Sequence, residues 1–310
     1  MKAMLKLAPW ITYPLVVGGS VVGAVALLDS GLGAEVVVPI VSAMALCVIV
    51  ALERLLPYSA QWGRSHGDFW TDGVHATVSM VLIPEGLRLL LLGALTAASA
   101  SITAWVGMGL WPTGLPWLAQ LALAILITEL VQYWTHRWMH TIEPLWRLHA
   151  IHHSAPRLYW LNSGRFHPFD AVVTWASSMP ALWLLGCPEP VVALYLVFTT
   201  SHGPLQHANV DVRLGPLNWL ICQGELHRWH HSPDMAEGNH NYGSLLILWD
   251  VIFGTRMLPP DRRPPEDLGI GGMPDFPADY LGQLAAPFRW ARLPRVQASA
   301  PAPDRGQTEG

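Results

Sequence analysis

Residues 224–234 read GELHRWHHSPD and place three histidines, His227, His230 and His231, within five positions. Imidazole nitrogens bind iron, zinc, copper and nickel. Positions i, i+3 and i+4 share one face of a helix, so a helix over this stretch would present three metal ligands on one side. Pro233 is expected to end that helix, because proline cannot continue its hydrogen-bond pattern.

The same spacing recurs upstream in the chain. Of the 14 histidines, 12 lie between residues 136 and 240. A lone histidine is usually structural, but four groups at helical or near-helical spacing predict a metal centre. The groups are HRWMH (His136, His140), HAIHH (His149, His152, His153), HGPLQH (His202, His207) and HRWHH (His227, His230, His231).

The number of imidazoles predicts two ions. Zinc sites usually close at four ligands, whereas two ions with about five nitrogens each would use the whole set. His202 is a weaker candidate, because its spacing of five to His207 is imperfect for a helix face. His167, His240 and Asn241 lack a partner at ligand spacing, and we expect them to support the ligands from behind or to be structural.

Composition predicts a membrane protein. Hydrophobic residues make up 52% of the 310 residues and charged residues only 13%, against about 25% charged in soluble domains. Four apolar stretches approach the ~20 residues that cross a bilayer: 10–29, 36–52, 74–98 and 115–135. The net charge of −4 offers no basic patch for a nucleic-acid partner.

Basic residues predict one orientation for all four stretches. The loops 29–35 and 99–114 carry no Lys or Arg, so by the positive-inside rule both termini and the histidines face the cytoplasm. Two lysines against 16 arginines suggest a bacterial genome, and hence an inner membrane. The basic residues on the cytoplasmic side are Lys2, Lys6, Arg54, Arg64, Arg137, Arg147, Arg157 and Arg165.

A further apolar stretch, 171–201, is broken at Gly186, Pro188 and Pro190. Each half holds roughly 12–15 residues, too few to span upright, so we expect a re-entrant or tilted helical hairpin. We divide the chain into a transmembrane hairpin with a linker, a catalytic membrane domain with a cytosolic histidine-rich helical cap, and a Pro-rich, partly disordered tail. These parts are residues 1–72, 73–255 and 256–310.

Residues 115–256 resemble the fatty acid hydroxylase and sterol desaturase superfamily of integral membrane di-iron enzymes. The resemblance rests on the HxxxH and two HxxHH groups, on QHANV (206–210), on LNSGRFHP (161–168) and on NYGSLLILWDVIFGT (241–255). It implies an all-α transmembrane fold and two Fe ions bound by histidines. The ligands it implies are His136, His140, His149, His152, His153, His207, His227, His230 and His231, with His202 as a tenth.

The resemblance also implies hydroxylation of a lipid C–H bond with O2 and electrons from a separate ferredoxin, cytochrome or reductase. Neither a cytochrome b5-type HPGG heme motif nor a nucleotide-binding glycine loop after a strand is found in the sequence. Desaturation, or oxidation of a sterol methyl group, stays open as an alternative within the superfamily. Metal transport is a third hypothesis, disfavoured because the spans contain few ionisable residues along a path. Those residues are Glu85, Arg88 and Glu129.

Overall fold

A computed structural model describes residues 2–296 of the chain, with side chains from residue 6 onward. Met1 and residues 297–310 lie outside the described part. The described residues form helices and two isolated β-bridges, Pro57–Val210 and Ile221–Leu246, and contain no strand. The predicted all-α class is therefore confirmed.

Four helical segments are long and apolar enough to cross a membrane, and they coincide with the four predicted stretches. Large apolar side chains such as Val22, Met44 and Leu90 point outward from them and are exposed, as lipid-facing surfaces require. The protein is an integral membrane protein. The first span is formed by α1 (Lys2–Tyr13) and α2 (Gly19–Asp29), and the second by α3 (Ala34–Leu55). The third is formed by α4 (Phe69–Ala76) and α5 (Ile83–Val106), and the fourth by α6 (Trp117–Thr141).

Two of the spans contain a wide π turn. Residues Pro14–Gly18 join α1 to α2, and residues Thr77–Leu82 join α4 to α5. Pro14 and Pro84 lie at or just after these turns. Proline has no N–H for the regular helical bond, which favours a local irregularity. The chain nevertheless continues in one direction, so each pair acts as one span.

The broken apolar stretch forms a helical hairpin of α8 (Pro168–Leu184) and α9 (Glu189–His207). The chain reverses at Gly186, whose φ is +73°, a conformation that favours glycine. The helices hold 17 and 19 residues, more than the predicted 12–15, because both continue into polar sequence. Pro190 does not shorten α9, because it lies in the first turn of that helix, where proline is tolerated.

Short helices cover one end of this bundle. Helix α7 (Glu143–His153) reverses from α6 at Ile142, and Pro144 lies in its first turn as predicted. Helix α10 (Gly224–His230) ends before Pro233, also as predicted. These two short helices carry five of the fourteen histidines. Helices α11 (Met235–Gly238) and α12 (Leu248–Phe253) and the 3-10 turns Trp160–Gly164 and Gly215–Trp219 complete this layer.

The described part of the C-terminal segment packs against the helical bundle. Residues 256–296 are placed on the bundle and include α13 (Tyr280–Ala285) and the 3-10 turn Ala286–Arg292. Met273 and Trp290 are buried in one apolar cluster with Ala150 of α7. Tryptophan and methionine in a Pro-rich segment supply enough apolar surface to hold it in place. The predicted disorder at 297–310 lies outside the described residues.

Candidate metal centre

Nine histidines converge in two neighbouring groups at the end of the helical bundle. Within each group, one ring nitrogen per residue lies within 4.8 Å of all the others, and every member is buried. Neighbouring rings also meet across the groups, with the centroids of His153 and His231 4.4 Å apart. The first group is His136, His140, His149, His153 and His230, and the second is His152, His207, His227 and His231.

The two HxxHH segments each contribute to both groups. On α7, His149 and His153 belong to the first group, while His152 between them turns to the second. At the second segment, His227 and His231 belong to the second group, while His230 belongs to the first. Adjacent helical residues point about 100° apart, so the i, i+4 pair stays together and the i+3 residue diverges. Each of the two segments therefore supplies histidines to both groups.

Hydrogen bonds fix the protonation of three rings in the first group. The Nδ1–H of His136 donates to the Tyr242 carbonyl at 2.6 Å, that of His230 to the His240 carbonyl at 2.8 Å, and that of His149 to the Asp170 carboxylate at 2.9 Å. Because these oxygens can only accept, each neutral ring keeps a bare lone pair on Nε2.

These lone pairs face one another at close range. The Nε2 atom of His136 lies 3.0 Å from Nε2 of His149 and 3.0 Å from Nε2 of His230. No proton is available to bridge either pair, so the contacts are repulsive unless a cation lies between the nitrogens. Two nitrogens that bind one ion at about 2.1 Å each, at right angles, lie about 3 Å apart. The arrangement fits a metal ion.

The second group shows the same features. The Nδ1–H of His207 donates to the Asn162 side-chain oxygen at 3.1 Å, which leaves Nε2 bare at 2.9 Å from Nε2 of His227. The Nε2 atom of His231 lies 3.0 Å from that same nitrogen of His227. Four buried ring nitrogens of the centre have no hydrogen-bond partner within residues 6–296. They are His140 Nε2, His152 Nδ1, His153 Nε2 and His227 Nδ1.

Burial keeps the rings neutral, as metal binding requires. Removal from water lowers the pKa of His230 to about 3. Burial, reinforced by neighbouring imidazoles, also lowers the pKa values of His152, His153, His227 and His231 well below the usual range. The rings are therefore available as neutral nitrogen donors at neutral pH.

One loop after α11 holds three histidines of the first group in place. Besides the carbonyls of His240 and Tyr242, the side-chain oxygen of Asn239 accepts from Nδ1 of His140 at 3.2 Å. Asn241 lies in the middle of this loop with a φ of +57°. Its side chain donates to the carbonyls of Leu226 and Met257 and fixes the loop.

A second support comes from residues 162–170. Asn162 accepts from His207 and Asp170 accepts from His149, as described above. The ring of Phe166 stacks on His152 with centroids 4.5 Å apart. A buried ion pair of Arg165 with Asp72 anchors this segment to α4, and another of Arg157 with Asp68 anchors the chain before it.

His202 does not join either group, although the sequence suggested it as a tenth ligand. Its Nε2–H donates to the Cys222 carbonyl at 2.8 Å, and its Nδ1 accepts from the Tyr13 hydroxyl at 3.0 Å. Both nitrogens are therefore used. On α9 it lies five residues before His207, so it points about 140° away from that ligand.

The remaining expected supporting residues differ in their roles. His167 caps α8, with its Nδ1 accepting from the Phe169 amide, and does not belong to either group. His240 supports the centre through its backbone carbonyl only, since its ring contacts the Glu237 carbonyl. Asn241 acts through the loop conformation. His75, which lies outside both groups, is buried between the Phe166 carbonyl and the Gln283 side chain.

A cavity of about 310 Å³ extends from the centre between α6, α8 and α9. The surface of its walls is largely apolar, with side chains such as Met179, Leu196 and Trp175, but eleven polar residues besides the histidines also line it, among them Glu129 and Gln132. Such a lining is typical of a ligand site. Five of the nine histidines form its inner end: His136, His149, His152, His207 and His227.

Comparison with known proteins identifies relatives of the chain. The family model described as fatty acid hydroxylase matches residues 121–255. An ornithine lipid hydroxylase, OlsE, from Rhizobium tropici is 37% identical over 248 residues, which cover 78% of this chain and 73% of the relative. No solved structure matches the chain.

More distant relatives share a smaller part of the chain. An alkylglycerol monooxygenase from Danio rerio is 28% identical over 189 residues, 59% of this chain and 41% of the relative. A putative Delta(7)-sterol-C5(6)-desaturase 2 from Arabidopsis thaliana is 29% identical over 148 residues, 45% of this chain and 48% of the relative. In both cases this chain spans less than half of the relative.

Proposed function

The chain belongs to the fatty acid hydroxylase family, and from this premise we propose that it is a lipid hydroxylase. The nine histidines would hold two iron ions, and the reaction would be the O2-dependent oxidation of a C–H bond of a membrane lipid. The observation that carries the proposal is the pair of buried histidine groups with unprotonated nitrogens facing one another. The cavity that ends at these groups supplies space for a lipid segment.

The residues of the chain supply the position and surroundings of the reaction. When bound, the iron ions would supply the reduction of O2 and the oxidising power needed to break an unactivated C–H bond, which side chains cannot provide. Asp170 and the carbonyls of Tyr242 and His240 hold the proton on Nδ1 and set the ring orientation, a common support for metal-binding histidines. The largely apolar surface of the cavity walls would limit the access of water to the reacting segment.

The names of the relatives favour hydroxylation. An ornithine lipid hydroxylase and an alkylglycerol monooxygenase both insert oxygen into lipids, as their names state. We propose an ornithine-type lipid as the first substrate to test, because that relative matches most of both chains. Desaturation is the second candidate, favoured by the sterol desaturase relative.

We further propose that the histidine end of α6 faces the cytoplasm and that electrons come from a separate carrier protein. The orientation is supported by the distribution of Lys and Arg in the loops. The hairpin of α8 and α9 would then enter the membrane from the cytoplasmic side and return to it. In a bacterial host this is the inner membrane.

Metal analysis and lipid analysis together test the proposal. We expect about two irons per chain in protein purified from iron-supplied cells, and a gain of one oxygen in lipids of the expressing host by mass spectrometry. Loss of two hydrogens instead would indicate desaturation. His230→Ala should abolish the product while the protein still inserts into the membrane. His240→Ala is the matched control, since only its backbone supports the centre. Full activity of His230→Ala would overturn the proposal.

A further inference from the structure

Arg228 is a buried cation without a carboxylate partner. It lies on α10 and is 1% exposed. Its Nη2 donates to the carbonyls of Ala208 and Val210 at 3.3 and 2.6 Å, and its Nε has no hydrogen-bond partner within residues 6–296. The seven ion pairs of the described residues do not include it. A guanidinium stays protonated in proteins, so Arg228 carries a full positive charge.

The other buried arginines show what Arg228 lacks. Two further arginines of the described part are buried, and both form ion pairs, one with Asp68 and one with Asp72. The guanidinium carbon of Arg228 instead lies 3.8 Å from the centre of the Tyr58 ring. This cation–π contact offsets part of the cost of burial, but buried charges are normally paired with an opposite charge. Metal ions in the neighbouring histidine groups would add positive charge, so the position favours an anion beside Arg228.

A pocket of about 450 Å³ adjoins Arg228. The charged residues that line it are Arg213, Arg228, Arg262 and Arg263, with Asp211 and Glu225. Arg213 and Arg262 form ion pairs with acids. The remaining acid of the pocket, Glu225, accepts from neighbouring backbone and amide groups rather than from an arginine. Arg228 and Arg263 form no ion pair within the described residues, so the pocket keeps an excess of positive charge.

The pocket lies at the level where two membrane spans end. Trp10, near the beginning of the first span, lines it, as do Pro57 and Tyr58, which follow α3. Tryptophan and tyrosine are enriched at the level of the lipid headgroups. Basic pockets at the ends of membrane helices recognise such headgroups. The excess positive charge therefore faces the layer in which lipid phosphates lie.

An apolar groove leads from this pocket along the membrane helices. It has a volume of about 470 Å³ and shares Trp10 and Arg213 with the pocket. Its lining residues on the first span run from Trp10 to Val22, which is about 18 Å of helix. Leu121 of α6 and Phe198 of α9 also line it. Half of the hydrocarbon core of a bilayer is about 15 Å thick, so the groove is long enough for one acyl chain.

We propose that the pocket and the groove together bind one membrane phospholipid, with its phosphate beside Arg228 and one acyl chain in the groove. The planar fork of an arginine matches the oxygens of a phosphate. A lipid without a phosphate would leave the charge of Arg228 unpaired. None of the residues that line the pocket or the groove lines the cavity at the metal centre. The inference therefore goes beyond the proposed function and assigns the phospholipid a site of its own.

Three matched ligands test the inference on the full-length protein in dodecyl maltoside, with binding followed by microscale thermophoresis. They are dioctanoyl phosphatidic acid, dioctanoylglycerol, which lacks the phosphate, and sn-glycerol 3-phosphate, which lacks the chains. We expect the phosphatidic acid to bind on the order of tenfold more tightly than either of the others. Equal affinity for dioctanoylglycerol would overturn phosphate recognition, and equal affinity for glycerol 3-phosphate would overturn the assignment to a lipid.

Arginine variants locate the phosphate. Arg228→Gln should weaken binding of the phosphatidic acid on the order of tenfold and leave dioctanoylglycerol unaffected, because it removes the charge but not the groove. Arg263 is exposed, so Arg263→Gln gives the same test if Arg228→Gln fails to fold. Arg256→Gln is the matched control, since Arg256 stacks on Trp219 and does not line the pocket. Wild-type affinity in the pocket variants, or an equal loss in Arg256→Gln, would overturn the inference.

Discussion

The carboxylate of Asp170 is expected to set how tightly the first histidine group holds its metal ion. Asp170 is fully buried, and its Oδ2 accepts from Nδ1–H of His149 at 2.9 Å while Oδ1 accepts from the Thr174 hydroxyl at 3.1 Å. In Asp170→Asn the amide oxygen can still accept from His149. The NH2 group then faces the Thr174 hydroxyl, which can rotate to accept. The substitution therefore removes the charge and keeps the shape.

The magnitude follows from the nature of this hydrogen bond. Hydrogen bonds to charged groups contribute about 1.5–3 kcal/mol, against about 1 kcal/mol between neutral groups. A difference of about 1–2 kcal/mol corresponds to roughly a 5–30-fold change in an equilibrium constant, within the 10–100-fold range typical of residues behind metal ligands. We expect Asp170→Asn to weaken binding of one ion per chain by about tenfold, and Asp170→Ala by more.

Competition with a graded series of chelators measures this loss, with iron retained per chain as the readout. Asp68→Asn is the matched control, because Asp68 is also buried and paired, but with Arg157 rather than with a histidine of the two groups. It should lower the thermal midpoint while the remaining folded protein holds two ions with wild-type affinity. Wild-type retention in Asp170→Asn, or an equal loss in Asp68→Asn, would refute the reasoning.

Three further results are expected from the geometry of the centre. His207→Ala should reduce metal content from about two ions to about one per chain, because His207 belongs to the second group alone; complete loss by elemental analysis would contradict two separable sites. His202→Gln should keep both ions and lower only the thermal midpoint, since His202 bonds to Tyr13 and Cys222; loss of metal would restore it as a ligand. Metal-free protein should lose thermal stability as the pH falls below about 6.5. The pKa values of His152 and His231 are lowered by burial in the folded state, so the unfolded chain takes up protons that the folded chain cannot; a midpoint that is flat between pH 7.5 and 5.5 would contradict this.

The membrane helices were predictable because the bilayer imposes length and apolar character directly on sequence. The nine histidines were predictable from their spacing and from the resemblance. Their division between two groups was not, because the spacing argument treats i, i+3 and i+4 as one direction. His152 and His153 are neighbours that point about 100° apart, and each lies in a different group. The group that each histidine joins depends on where α6 and α9 approach α7, and this is set by the tertiary structure.

The supporting residues were missed because their partners are distant in the chain. Asp170 is 21 residues from His149, and Asn162 is 45 residues from His207. No local pattern marks either residue as facing a ligand. The packing of residues 256–296 was not predictable from composition for a related reason: it depends on distant contacts such as the Trp62 indole donating to the Glu266 carbonyl.

The sequence NYGSLLILWDVIFGT (241–255) holds the first histidine group, although it contains no ligand. Asp250 accepts from the backbone N–H groups of Tyr242 and Gly243, both at 2.8 Å, and burial raises its pKa to about 6. A Cβ on Gly243 would lie 2.0 Å from the Leu246 carbonyl oxygen, so this tight turn requires glycine. Asn241 secures the other side of the loop. Gly243→Ala should therefore displace the Tyr242 carbonyl from His136 and lose metal. Wild-type metal content in Gly243→Ala would show that the carbonyl is dispensable.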